Sequence, residues 1–392
     1  MPRERYIGTV RTGACLIATL VVVLFAVVGE TEGIPAPAEH EISLAIDRGM
    51  AWLEMRQDPD GAWGVAGCGG NVGLTAQGAY VFLLAGHPED NPVVARALEY
   101  VLLHRQDDGS FASDGPDCGR PVYETSLAIL ALAMTGNPEY LPIIEESSLW
   151  LIEAQNDEVE FYEDGLQCLD PEPCWAYGGW CYDREACARG FEGEPERGWF
   201  VWSDNSNTQF AVIALSVVER IGLGVPPETW AKAEDWVTRC RFPDGGYGYQ
   251  PPQGLADQGS YGSMTAAAIW ELGAMGIPHD DPRIQSGLEW LEENYQIDEN
   301  PHFGRHWLYY YLWTATRGLL PIESIGGLAD WPRLSGWFGD FAGYLLLYQQ
   351  EDGSWSNPEE RYGENPGEEL TTQYALQVLL RAGIPDIVPL PE

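Results

Sequence analysis

The sequence predicts an all-α fold, an (α/α)6 toroid of six helix-pair repeats. Three observations predict it. A phrase made of a helix end, Gln, Asp-Gly and an aromatic recurs along the chain. Each copy is followed by a more apolar helical segment. Most of those segments stop at Gly with turn residues and Pro just beyond, as in Gly86-His87-Pro88 and Gly276-Ile277-Pro278, which is the expected stop signal of a helix. Regular self-similarity of this kind marks a repeat array.

The first copy runs from Gly49-Met50-Ala51-Trp52-Leu53 to Gln57-Asp58-Pro59-Asp60-Gly61-Ala62-Trp63. The second is Leu98-Glu99-Tyr100, then Gln106-Asp107-Asp108-Gly109-Ser110-Phe111. The third is Leu149-Trp150-Leu151, then Gln155-Asn156. The fourth is Glu234-Asp235-Trp236-Val237, then Pro243-Asp244-Gly245-Gly246-Tyr247. The fifth is degenerate, from Gly287-Leu288-Glu289-Trp290-Leu291 to Asn294-Tyr295. The sixth is Gly343-Tyr344-Leu345-Leu346, then Gln349-Gln350-Glu351-Asp352-Gly353-Ser354-Trp355.

The apolar segments that follow are 72–85, 124–134, 208–221, 263–275, 307–319 and 370–382. The first helix of each pair carries charges on one face and so faces water. The second is apolar nearly all round and must be buried. No pair buries its apolar face alone, so neighbours stack and the two ends meet. In the loop between the helices Gly supplies the turn, and the Gln amide is placed to bond carbonyls of the next repeat.

These phrases resemble the QW motif of squalene–hopene and oxidosqualene cyclases. The stretch from Arg48 to Trp63 fits that pattern closely, and Arg105 to Phe111 and Gln349 to Trp355 fit in part. The β subunits of protein prenyltransferases share the toroid. The likeness covers about 41–384. It implies an apolar, isoprenoid-class ligand in the ring. Laid on the Asp-x-Asp-Asp-Thr motif of the cyclases, Asp204 and Thr208 match, while Ser206 stands at the central acid and Asn207 at the third. The Asp-x-Cys and His zinc set of the prenyltransferases has no counterpart at an inner-helix start. No metal or cofactor is therefore expected.

The N-terminus reads as a signal peptide over 1–29. Arg3, Arg5 and Arg11 precede an apolar run at 14–28 and then Gly29-Glu30-Thr31-Glu32. The run is short for a spanning helix, which needs about 20 apolar residues. A linker at 30–40, the toroid at 41–385 and a tail at 386–392 follow. The expected location is periplasmic or extracellular, with N-terminal anchoring as the alternative if the leader is not cut. A net charge of −39 and a single lysine, Lys232, exclude nucleic acid and anionic lipid surfaces as partners. A protein partner is not specified by the sequence.

The third repeat carries a long insert, 156–202. It holds Cys168, Cys174, Cys181 and Cys187. Their spacing is unlike that of zinc knuckles, and export makes two disulfides the expected state. Cys68 and Cys118, on equivalent loops of adjacent repeats, are candidates for a third, which leaves Cys240 free. The insert is expected to cover the mouth of the ring.

Inner-helix N-termini should converge at one face, where helix dipoles point their positive ends. The acid candidates there are Asp204 and Glu124, with His306 as a further titratable group. The wall candidates are Trp202, Phe210, Tyr261, Trp270, Tyr310 and Trp313. His306, Tyr310 and Trp313 follow helical spacing and should share a face. Such a funnel suits an apolar small molecule or lipid, and its ring faces would stabilise a carbocation if catalysis occurs. The sequence leaves catalysis open, since a hydroxyl at Ser206 cannot protonate an alkene. The alternatives are a non-catalytic interaction or scaffold module and a carbohydrate-active toroid using two carboxylates.

Overall fold

The computed structural model describes residues 36–65, 69–115, 118–157, 176–184, 202–252, 259–357 and 367–381. Residues 34–392 belong to one compact unit. Twelve α-helices of the described residues alternate between two layers. They are α1 (Glu39–Arg56), α2 (Val72–Leu84), α3 (Pro92–Leu103), α4 (Pro121–Met134), α5 (Leu141–Glu153), α6 (Asn205–Arg220), α7 (Pro227–Arg239), α8 (Gly262–Ala274), α9 (Pro282–Glu293), α10 (Leu308–Ser324), α11 (Trp337–Tyr348) and α12 (Gly367–Leu379). Odd-numbered helices form the outer layer and even-numbered helices the inner one. A short antiparallel hairpin, β1 (Gly64–Val65) with β2 (Gly69–Gly70), precedes α2. No helix among the described residues is long and apolar enough to cross a membrane.

The inner layer is a ring. Each inner helix packs on the next, from α2 through α4, α6, α8 and α10 to α12, and α12 packs back on α2. The predicted alternation explains this order. Residues 72 to 83 of α2 are all buried, as are residues 207 to 218 of α6. Outer helices bury one side only; in α9, for example, the buried residues are Ile284, Gly287, Leu288, Trp290 and Leu291. Pro at the first helical turn opens α3, α4, α7 and α9, where its missing N–H is no loss.

The loop phrase is a clasp with four parts. First, a Thr near the start of the inner helix accepts the backbone N–H of the loop aromatic. The pairs are Thr75 with Trp63, Thr125 with Phe111, Thr208 with Trp180, Thr265 with Tyr247 and Thr372 with Trp355, at 2.9–3.1 Å. Second, the loop Trp indole donates back to the outer helix it left, as Trp63 does to the Leu53 carbonyl at 2.9 Å and Trp355 to Leu345 at 2.7 Å.

Third, the Gln amide donates to the loop Gly and to the next outer helix: Gln57 bonds the Gly61 and Val93 carbonyls, both at 2.9 Å. Fourth, the loop Asp accepts the indole N–H of that next helix, from Trp150 to Asp108 at 2.9 Å and from Trp290 to Asp244 at 3.0 Å. The loop Gly has φ between 90° and 99° in five copies. A Cβ at Gly61 would lie 2.3 Å from the Arg96 carbonyl oxygen, so only Gly lets the loop reach its neighbour.

The same clasp closes the ring. Gln349 donates to the Ala45 carbonyl at 2.8 Å, Trp52 to Asp352 at 3.1 Å and Arg48 to the Gln350 carbonyl at 2.7 Å. On the inner layer Gln373 of α12 donates to the Leu74 carbonyl of α2 at 3.1 Å.

In the third repeat the loop phrase does not end at Gln155-Asn156. Gly178-Gly179-Trp180 resumes the phrase beyond the insert. Gln155 donates to the Gly178 carbonyl at 2.9 Å and to Thr229 at 3.0 Å. Trp180 donates to Leu151 at 2.7 Å. Tyr177 occupies the Asp position of this copy, and Trp236 of the next outer helix has no hydrogen-bond partner for its indole nitrogen.

That difference is testable by urea denaturation. Trp150→Phe and Trp290→Phe each break an indole-to-Asp bond and should cost about 1 kcal/mol more than Trp236→Phe. Equal losses at the three sites would contradict the clasp.

Candidate functional site at the mouth of the ring

Inner-helix N-termini meet at one face, and two buried carboxylates sit there. Asp204 caps α6. Its Oδ1 accepts the Asn207 backbone N–H at 2.8 Å, and its Oδ2 accepts Asn207 Nδ2 at 2.8 Å and Trp202 Nε1 at 3.1 Å. Burial raises its carboxyl to about 6, and these donors hold it from rising further. Glu124, in the first turn of α4, accepts Ser113 N–H at 2.7 Å, Ser113 Oγ at 2.6 Å and Asn71 Nδ2 at 2.9 Å. Asn71 in turn caps α2. Burial raises the Glu124 carboxyl despite the donors. Each carboxylate thus ties a loop to a helix start.

Between them runs a directed hydrogen-bond chain. Tyr123 of α4 donates to Ser206 Oγ at 2.8 Å. Tyr310 of α10 donates to Gln209 Oε1 of α6 at 2.7 Å. Ser206 and Tyr310 lie 3.0 Å apart, and since both tyrosine protons are committed, Ser206 donates to Tyr310. The residue at the cyclase family's acid position therefore belongs to a neutral relay that spans the ring.

Beneath the relay the rings touch. Phe210 stacks on Trp313 with centroids 5.4 Å apart. Trp313 contacts Tyr310 at 5.6 Å and Tyr374 at 5.1 Å. Tyr123 meets Phe210 edge-on at 4.8 Å. Trp313 Nε1 donates to Gln377 Oε1 at 2.9 Å. Four inner helices contribute to this column.

The other sequence candidates fall elsewhere. Trp202 serves the Asp204 cap rather than the column. Tyr261 caps α8 and stacks on Phe303 at 4.6 Å. Trp270 lies deeper, beside Arg317. His306 does not share a face with Tyr310 and Trp313. The helix starts at Leu308, and Trp307 before it is left-handed with φ 54°, which turns His306 aside against Phe303. Cys118 and Cys181 are disulfide-bonded, and Cys240 is a buried free thiol. Cys68, Cys168, Cys174 and Cys187 lie outside the described residues.

Residues 176–184 of the insert lie at the mouth. The Tyr182 carbonyl accepts Val122 N–H at 3.1 Å, and the Tyr182 ring lies 5.9 Å from that of Tyr123. Sequence reasoning missed Tyr123, Gln209, Gln377 and Arg317. Arg317 had a signal: it is the only charged residue in the apolar segment 307–319.

No family model matches the sequence, and no curated protein matches it. Solved structures do resemble the fold. Cellobiose 2-epimerase from Spirochaeta thermophila DSM 6192 superposes with a TM-score of 0.59 and 17% identity, covering 88% of this chain and 96% of that one. Type II terpene cyclase MstE from Scytonema, in complex with merosterolic acid A, gives 0.55 and 16%, covering 88% and 97%. Protein geranylgeranyltransferase-I of Candida albicans, complexed with GGPP, gives 0.50 and 14%, covering 85% and 90%. At these identities the likeness establishes the α/α toroid.

Asp204 gives a pH test. Its carboxyl moves from 3.8 to about 6 on folding, so between those values the folded state holds more proton than the unfolded one. Stability from this group is full below pH 4 and is lost as pH rises through 6. The stability difference between the natural protein and Asp204→Asn should fall by about 3 kcal/mol at most from pH 4 to above 6. A difference that stays flat or rises, measured by urea denaturation across that range, contradicts the assignment.

Proposed function

We propose that this toroid binds an apolar ligand of the isoprenoid class along its axis, in an exported protein released from its N-terminal leader. The observation that carries the reading is the column of touching rings, Phe210, Trp313, Tyr310 and Tyr374, under a neutral hydroxyl relay. Such a wall presents polarisable faces and few charges, which suits a branched hydrocarbon chain. Two of the similar folds carry an isoprenoid-derived product or GGPP in their solved complexes. The reading is one of binding rather than proton-initiated cyclisation. That chemistry needs a carboxylic acid facing the substrate, whereas Asp204 and Glu124 use both oxygens as acceptors within the protein.

Titration with geranylgeraniol, followed by tryptophan fluorescence, tests the reading. We expect saturable binding, weakened about tenfold by Phe210→Ala through lost apolar contact. A fluorescence signal that never saturates, or identical binding by Phe210→Ala, overturns it.

A further inference from the structure

Arg317 is fully buried, with no accessible surface. It lies nine residues into α10, about 14 Å below the mouth at the helical rise. Its guanidinium carbon sits 5.0 Å from the ring centre of Trp270 on α8 and 5.1 Å from that of Trp313 on its own helix. The Tyr80 hydroxyl of α2 lies beside it, and the two interact electrostatically. Helices α2 and α8 stand on opposite sides of the inner ring, so a group between them is on the axis. Trp270 and Tyr80 each lie eight residues into their helices, at about the same depth.

The two indoles satisfy the faces of the guanidinium. Its N–H groups point in the plane, and Nε, Nη1 and Nη2 have no hydrogen-bond partner. Trp270 Nε1 and the Tyr80 hydroxyl are likewise without partners. No carboxylate neutralises the charge: among the described residues the only titratable side chain acting on Arg317 is Tyr80. A guanidinium, an indole N–H and a hydroxyl converge, and the group they lack is a hydrogen-bond acceptor that carries negative charge. A buried cation without one is strongly disfavoured, and a planar carboxylate fits the guanidinium edge in a two-bond pairing. The column continues onto this group, because Trp313 touches Phe210, Tyr310 and Tyr374 as well as Arg317.

We propose that Arg317, Trp270 and Tyr80 form an internal carboxylate-binding site, and that the apolar ligand of the axis ends in a carboxylate. This rests on the axial binding reading above and adds the ligand's polar end. The ligand lies with its hydrocarbon on the column, where Tyr310 and Tyr374 retain 7% exposure each, and with its carboxylate on Arg317.

The test compares geranylgeranoic acid, geranylgeraniol and geranylgeranyl monophosphate by tryptophan fluorescence on the full chain. The acid should bind at least about tenfold tighter than the alcohol, the worth of one charge-assisted pairing. Arg317→Met should abolish that preference and leave alcohol binding in place. Trp270→Phe, which keeps the ring and removes one donor, should reduce the preference about threefold and carries the test if Arg317→Met does not fold. Equal binding of acid and alcohol to the natural protein, or an unchanged preference in Trp270→Phe, overturns the carboxylate site alone. Monophosphate binding as tight as the acid or tighter overturns its assignment to carboxylate. Failure of all three probes to bind overturns the axial reading and this site with it.

Discussion

The structure depends on ring closure. An inner helix such as α2 is buried on every side, so it needs a partner on both flanks and an outer helix behind it. In an open array the first and last inner helices would each leave an apolar flank in water, at about 25 cal/mol for every Å² exposed. Closure removes both ends. It is fastened by the same clasp that joins consecutive repeats, with Gln349 reaching Ala45 and Trp52 reaching Asp352. The clasp works because it links helices that touch different neighbours: one loop holds its own inner helix through Thr, its own outer helix through Trp and the next outer helix through Gln and Asp.

Closure also makes the site. It gathers the inner N-termini at one face, and the loops there satisfy the orphan N–H groups with Asn71 and Asp204. It leaves an axis lined by side chains, and Phe210, Tyr310, Trp313 and Tyr374 line it with touching rings. The carboxylates at the rim serve the architecture, while the groups on the axis are neutral hydroxyls, amides and rings. Arg317 of α10 and Glu271 of α8, both fully buried, are the ionisable exceptions. The Arg317 charge sits where water is excluded. Indole faces stabilise it by about 2 kcal/mol when desolvated.

Much of this was legible in the sequence, for physical reasons. Helix pairs announce themselves by contrast between a charged-face segment and an all-apolar one, so all six inner segments were placed within a few residues of α2, α4, α6, α8, α10 and α12. Trp180 was missed because the insert separates it from Gln155, although Gly178-Gly179-Trp180 repeats the small-aromatic pattern of Gly353-Ser354-Trp355. His306 was misplaced because spacing alone assumes an unbroken helix, and the left-handed Trp307 breaks it. The relay from Tyr123 to Gln209 was hidden because it joins three helices whose relative rotation no local pattern specifies. Ser206 was read as a departure from an acid; in the fold it is the central link of that relay.

Native-state hydrogen exchange tests closure most directly. In a closed ring the amides of α1, α2 and α12 are held as firmly as those of α6 and α8, and all exchange through one cooperative opening. In an open array α1, α2 and α12 would behave as terminal repeats and fray first. Uniform protection around the inner ring is the predicted result; selective early exchange of α12 and α1 would contradict it.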